Sequence, residues 1–268
     1  MNLLKRTATA AVLLGVLFVV VQYAPRPVFF LLAQVFIVGA LLEFYVLTGK
    51  KGLAPRRELG VGLALLAGLA FYLPALPLEA ALFAGILAAG VYFVAATRTP
   101  EKLALFPASF AVTLVGVLYI AFPLNFLYRI RVEMGPYPLY FLFAVIFFGD
   151  TGAFFIGKPL GRHKMTPIAS PNKSWEGSAG GILFALIAAA VTRALILPGL
   201  PLATALLTAV VVHAAAQVSD PLESLFKRAL GVKDSSNVLP GHGGFFDRID
   251  SLILAGPLFY YIAAYLWK

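Results

Sequence analysis

The sequence predicts an all-α polytopic integral membrane protein, and three observations carry that prediction. Hydrophobic residues fill 61% of the 268 positions while charged residues fill only 12%, and the mean hydropathy is +0.91, far from the usage of a soluble domain. Apolar runs near the roughly 20 residues needed to cross about 30 Å of hydrocarbon recur along the chain. Lysine and arginine gather on alternate connections between those runs, as the positive-inside bias requires.

Taken in order, the apolar runs give nine expected spans, at 8–24, 27–47, 58–76, 78–97, 102–122, 138–157, 178–197, 201–219 and 251–267. Each is helical because lipid offers the backbone no other hydrogen-bond partner. The first follows Lys5 and Arg6 as a signal peptide would, but Gln22, Tyr23 and Pro25 stand where small residues for cleavage belong, so it reads as a retained helix. With the N-terminus cytoplasmic, 16 of the 21 basic residues fall on cytoplasmic connections. Arg26, Arg129, Arg131, Arg193 and Lys268 remain outside, together with the C-terminus. The external turns LPALPL from Leu73 and LPGLPL from Leu197 share prolines that stop one helix and start the next, which is recurrent turn chemistry. Two regions result: five spans over 1–137 with little candidate chemistry beyond Glu43, and 138–268, whose long polar connections 158–177 and 220–250 hold the candidate site.

Several classes are excluded. The chain has no cysteine, so disulfides, thiolate metal sites and cysteine nucleophiles are out, and any metal must be held by carboxylates, histidine or carbonyls. The net charge of +9 is spread between apolar spans, which fits orientation and anionic lipid and not nucleic acid. Neither a phosphate loop ending in Gly-Lys-Ser/Thr nor a GxGxxG fingerprint is present.

The densest polar stretch is SLFKRALGVKDSSNVLPGHGGFFDRID, from Ser224 to Asp250, and a polar segment set against so apolar a chain is kept for chemistry. Across its start, Asp220, Glu223, Lys227 and Arg228 share one face of a helix by their spacing. A carboxylate pair beside a cationic pair suits a metal bound to a phosphate chain. The same residues also read as a helix start, with Asp220 as N-cap, Pro221 at the first helical position, Glu223 completing a capping box and Gly231 ending the helix.

Farther on, Pro240, Gly241, His242, Gly243 and Gly244 form a loop whose missing side chains let backbone N–H groups approach an anion. Asp247, Arg248 and Asp250 follow where the chain re-enters the membrane. Carboxylates there need a divalent cation or a basic partner, and a structural ion pair with Arg248 is the competing reading. A second block, DTGAFFIGKPLGRHKMTPIASPNKSWEG, runs from Asp150 to Gly177. Positive-inside bias accounts for its cations, Lys173 among them, but not for Asp150 inside an apolar helix, nor for Trp175 and Glu176 beside Ser174. His213, within the eighth span, reads as a hydrogen-bonded core residue.

Ser224, Lys227-Arg228, Lys233-Asp234, LPGHGG and Asp247-Arg248-Ile249-Asp250, in that order and spacing, resemble the signature of the phosphatidate cytidylyltransferases, the CDP-diacylglycerol synthases. The Asp150–Gly177 block, from DTGA to SPNKSWEG, resembles a second region of the same family. The resemblance implies conversion of CTP and phosphatidate to CDP-diacylglycerol and pyrophosphate with Mg²⁺ or another divalent metal. It implies metal ligands among Asp220, Glu223, Asp247 and Asp250, and catalysis by Asp220, Lys227, Arg228, Lys233, Asp247 and Arg248. Substrate contacts would come from Asp150, Lys173, Ser174, Trp175, Glu176, Ser224, Gly241, His242, Gly243 and Gly244. Phosphatidate is already a nucleophile near neutral pH, its second pKa lying near ~6, so His242 is expected to contact substrate and not to accept a proton. The expected partners are CTP, phosphatidate, bilayer lipid and a second copy of the chain, with no nucleic acid; the expected place is the cell (inner) membrane, with the site facing the cytoplasm. A CTP-dependent kinase of a lipid alcohol and an ion-coupled transporter are the alternatives.

Overall fold

The computed structural model describes residues 15–236, 238 and 243–267, and most of them are helical. The first helix, α1, is described over 15–23. It is followed by α2 (Arg26–Lys50), α3 (Arg57–Tyr72), α4 (Leu78–Ala96) and α5 (Pro100–Gly116), which passes through a π turn (Val117–Ala121) into α6 (Phe122–Glu133). Next come α7 (Pro136–Leu160), the strands β1 (Lys164–Thr166) and β2 (Ser170–Ser174), α8 (Trp175–Ile196), α9 (Leu202–Ala229) and α10 (Phe246–Leu266).

Seven helices among the described residues are long and apolar enough to cross a membrane, which bears out the all-α membrane class. Two of the nine expected spans are not among the seven. The first falls partly on residues outside the description, only 15–24 of it being described, and the third folds as α3, 16 residues long. Boundaries also differ from expectation. The span expected to end at 122 continues to Glu133, because the π turn carries the helix past Pro123 without a break. The connection expected at 158–177 contains an antiparallel hairpin pairing Lys164 with Ser174 and Thr166 with Ser170.

The reading of Asp220 as an N-cap is corrected. α9 runs unbroken through Pro221 to Ala229, so Asp220 lies inside a helix, where Pro221 merely withholds one donor from the carbonyl of Gln217. The expected stop is present: Gly231 has φ +77°, and Leu230, Gly231 and Val232 donate back to Phe226, Arg228 and Lys227, the wrap a left-handed glycine permits at a helix C-terminus.

The chain divides into two compact units, Met1–Tyr128 with Asp234–Arg248, and Arg129–Lys233 with Ile249–Lys268. The first is built around α2. Its Tyr45 is fully buried and donates to the carbonyl of Thr113 at 2.6 Å. The slot for that ring is cut by two glycines: a Cβ on Gly60 would stand 2.2 Å from the hydroxyl and one on Gly116 2.6 Å from the ring. About three turns earlier on the same helix, buried Gln34 donates to Asn125 at 2.7 Å, a polar pair matched inside an apolar unit.

In the second unit α7 and α8 meet along a seam lined by glycines. A Cβ on Gly177 would lie 2.9 Å from the carbonyl oxygen of Ala153 and 3.0 Å from the Cα of Gly157, while Gly152 and Gly180 receive Phe184 and Ile156. Close backbone approach through small residues is how membrane helices gain packing where no hydrophobic effect separates them from lipid. α9 adds His213, fully buried against Gly149 and Gly181 and 3.0 Å from the amide of Gln217.

Candidate functional site

In the second unit three carboxylates from three membrane helices come within electrostatic reach of one another: Asp150 on α7, Asp220 on α9 and Asp250 on α10. Asp150 is exposed, and Asp220 and Asp250 are half-buried, so the group is open on one side. Lys173, at the end of β2, pairs with Asp220 at 2.7 Å and also acts on Asp150. Lys227 pairs with the fully buried Glu223 at 2.8 Å and acts on Asp250. Ser251 reaches toward Asp150 at 3.5 Å, a long contact. The hydroxyl of Ser219 donates to the backbone carbonyl of Asp250 and accepts from the Leu254 N–H at 3.3 Å, which locks α10 against α9 where the carboxylates converge.

The hairpin that delivers Lys173 is held from its base. Ser174 caps α8 by accepting the Gly177 N–H at 3.1 Å. Glu176, in the first turn of α8, accepts the N–H groups of Arg162 and His163 at 3.1 and 3.2 Å and meets the His163 ring at 2.6 Å. These two expected site residues therefore fix the connection that carries Lys173, and Trp175 beside them is exposed. Ser224 is half-buried on α9, while Arg228 and Lys233 are exposed. Arg228 makes only long contacts, 3.4 Å each, to the carbonyls of Ala169 and Val232, leaving its guanidinium turned to the surface.

The first unit holds the rest of the expected set. Asp247, in the first turn of α10, accepts from the Ser235 N–H at 3.0 Å and the Gly244 N–H at 2.9 Å, and lies 2.9 Å from the Ser235 hydroxyl. The Gly244 N–H thus meets a carboxylate of the chain itself. Gly243 has φ +80°, a conformation that favours glycine. At Gly244 a Cβ would lie 2.1 Å from the Ser235 hydroxyl. Arg248 is exposed. Gly241 and His242 lie outside the described residues.

Sequence reasoning missed Ser219, Ser235, Ser236 and Ser251, and left Glu43 undecided. The available signal was their position next to flagged residues: Ser219 precedes Asp220, Ser251 follows Asp250, and Ser235 and Ser236 follow Asp234. Among the described residues no three or more His, Asp or Glu side chains converge to hold a metal unaided. The donor set still suits a hard cation, since Mg²⁺ is commonly bound by one or two carboxylates together with substrate phosphates. When ionised, Asp150, Asp220, Glu223 and Asp250 outweigh Lys173 and Lys227 by two negative charges, the charge of one divalent ion.

The family model of the cytidylyltransferase family matches residues 4–266. The chain is 38% identical over 148 residues to a phosphatidate cytidylyltransferase of Staphylococcus saprophyticus, covering 55% of this chain and 56% of the relative. It is 39% identical over 153 residues to the protein of the same name from Bacillus subtilis, covering 56% of each. The chain therefore spans about half the length of the curated relatives it matches.

Proposed function

This chain belongs to the cytidylyltransferase family, and from that premise we propose that it transfers the cytidylyl group of CTP to phosphatidate, giving CDP-diacylglycerol and pyrophosphate. The observation that carries the reading is the open group of Asp150, Asp220 and Asp250, on three membrane helices, countered by Lys173 and Lys227. A soluble polyanion and a membrane-bound phosphate can meet only where such helices end in charge. The names of the relatives support phosphatidate as the acceptor.

In the reaction a phosphate oxygen of phosphatidate forms a bond to the α-phosphorus of CTP, and the bond from that phosphorus to the bridging oxygen of the β-phosphate breaks. Pyrophosphate leaves with the electron pair. No side chain need take a proton, because a phosphate monoester has a second pKa near ~6 and is largely dianionic at neutral pH. The chain's own work is to bring two polyanions into line and offset the charge that shifts to the leaving group. Their ion pairs with Asp220 and Glu223 support giving that work to Lys173 and Lys227, with exposed Arg228 and Lys233 adding positive charge. Asp220 and Asp250 would hold Mg²⁺, which when bound supplies charge neutralisation at the phosphate oxygens.

The proposed setting is the cell membrane, with nine crossings, the N-terminus and the site on the cytoplasmic side, and the C-terminus outside. The excess of basic residues on the assigned cytoplasmic connections supports that orientation. Two copies are proposed to associate, as most oligomers of identical chains do in pairs. The test of function is incubation of purified protein with phosphatidate, Mg²⁺ and CTP labelled at the α or the γ phosphorus, followed by counting label in extracted lipid. Label from the α position alone is expected. Label from the γ position into a lipid alcohol would move the assignment to a kinase, and label from neither would refute transfer to lipid.

A further inference from the structure

Glu43 lies near the C-terminal end of α2, a helix of 25 residues, and it is buried. A carboxylate in a membrane helix is expensive unless fully engaged, and this one accepts four hydrogen bonds from residues some two hundred positions away. Ser236 and Ser235 hydroxyls donate at 2.6 and 2.8 Å, and the N–H groups of Phe245 and Phe246 at 3.0 and 2.9 Å. Phe246 is the first residue of α10, so the charge also sits at the positive end of that helix.

The fit around it admits no slack. A Cβ on Gly244 would fall 2.3 Å from Glu43 Oε2. The rings of Phe245 and Phe246 pack edge-on to Phe36 and Phe44 of the same α2, with centroids 5.2 and 6.0 Å apart. Ser235 links Glu43 to the signature directly: its hydroxyl is 2.8 Å from Glu43 Oε2 and 2.9 Å from Asp247 Oδ2. One hydroxyl carries one proton, so Glu43 helps decide what Asp247 receives from it. The Ser235 and Gly244 N–H groups hold Asp247 from the other side.

We infer that Glu43 is a positioning residue for cytidylyl transfer: acting through Ser235 and the N–H groups of Phe245 and Phe246, it sets the start of α10 and the carboxylate of Asp247. This gives the N-terminal spans a part in the reaction, and it rests on the function proposed above. Glu43 touches neither substrate in this account and is not a catalytic residue.

The experiment compares the wild type with E43Q, S235A and the E43Q/S235A double variant, each purified in the same detergent. Amide hydrogen exchange is the first readout and needs no activity. Glutamine keeps the shape but loses the charge and one acceptor, so peptides covering Phe245 and Phe246 are expected to exchange about ten- to a hundredfold faster, with α7 and α8 unchanged. Steady-state transfer is the second: kcat is expected to fall by roughly the same range with KM for phosphatidate unchanged, and the double variant is expected to be little worse than E43Q alone, because both act through one hydrogen bond. Unchanged exchange at Phe245 and Phe246 would overturn the inference, as would kinetic losses that multiply in the double variant or that follow only the folded fraction. If the wild type transfers no cytidylyl group to lipid, the functional reading fails, and the exchange comparison alone decides whether Glu43 holds the start of α10.

Discussion

Replacing Lys173 with methionine removes an ammonium that pairs with Asp220 and also acts on Asp150, while keeping most of the side chain's length and volume. The local excess of negative charge then rises from two to three, at the place where a triphosphate must bind. The Lys173 and Asp220 side chains are 28% and 31% exposed, so the interaction is neither that of a dry pair nor that of a solvated one. Opposite charges in contact are worth about 1 kcal/mol in water and about 4 kcal/mol at an effective dielectric of 20, and partial exposure favours the lower half of that range. About 1–2.5 kcal/mol lost in the transition state corresponds to a loss of roughly five- to seventyfold in kcat/KM for CTP.

The assay is transfer of α-labelled CTP into extracted lipid, with CTP varied at saturating phosphatidate and at two ionic strengths. K173M should lose activity mainly through KM for CTP, and the gap to wild type should narrow at high salt as screening weakens the missing attraction. K173R, which keeps the charge, should stay within about fivefold of wild type. Thermal stability should change little, since a pair this exposed contributes on the order of 1 kcal/mol or less to folding. A K173M enzyme whose kcat/KM for CTP lies within about threefold of wild type would refute the reasoning, and equal losses in K173M and K173R would show that charge is not the operative property.

The remaining expectations concern packing and orientation. Gly177→Ala would set a methyl group against backbone atoms at 2.9 and 3.0 Å, which cannot swing aside; a cost of about 1–3 kcal/mol should appear as a Tm lower by several degrees in detergent. Gly90→Ala, with nothing within 4 Å, should leave Tm unchanged, and equal shifts in the two would show that the α7–α8 seam is not tight. Tyr45→Phe leaves the Thr113 carbonyl without the hydroxyl now 2.6 Å away; a loss of about 1 kcal/mol is expected in equilibrium unfolding, and no loss would mean that this bond adds nothing net. Since the natural chain has no cysteine, Ile168→Cys places a single thiol at a hairpin position that is 79% exposed. A membrane-impermeant maleimide should label it in inside-out vesicles and not in right-side-out ones, and the reverse pattern would invert the proposed orientation.

Hydropathy made the helical class legible because lipid enforces it residue by residue. It marked helix ends poorly where polar residues are satisfied within the protein. α6 keeps Arg129 and Glu133 in helix because Arg129 donates to Glu133 at 2.8 Å and the Tyr260 hydroxyl adds a bond to Glu133 at 2.7 Å, the latter a partner no local window contains. Asp220 was ambiguous for a different reason. Asp-Pro-x-Glu is a valid start of a helix by local rules, and only packing shows that the helix was already under way. Asp150, Asp220, Glu223 and Asp250 of the second unit and their lysines were visible as residue types, since charge in an apolar chain is conspicuous. Their pairing was not: Lys173 reaches Asp220 through a hairpin that the positive-inside reading treated as loop. Glu43 was seen and left open because its four donors lie at the far end of the sequence.

The seam between α7 and α8 bears on how the chain is made. The two helices adjoin in sequence and pack backbone against backbone, so they can associate as soon as α8 has left the ribosome, before α9 and α10 exist. At that stage Asp150 has been handed to the bilayer without Asp220 or Asp250 beside it, and an ionised carboxylate is costly to insert alone. Lys173, on the hairpin joining the two helices and within electrostatic reach of Asp150, travels with it as a counterion during insertion. The later arrival of α9 then gives that lysine a second carboxylate to serve.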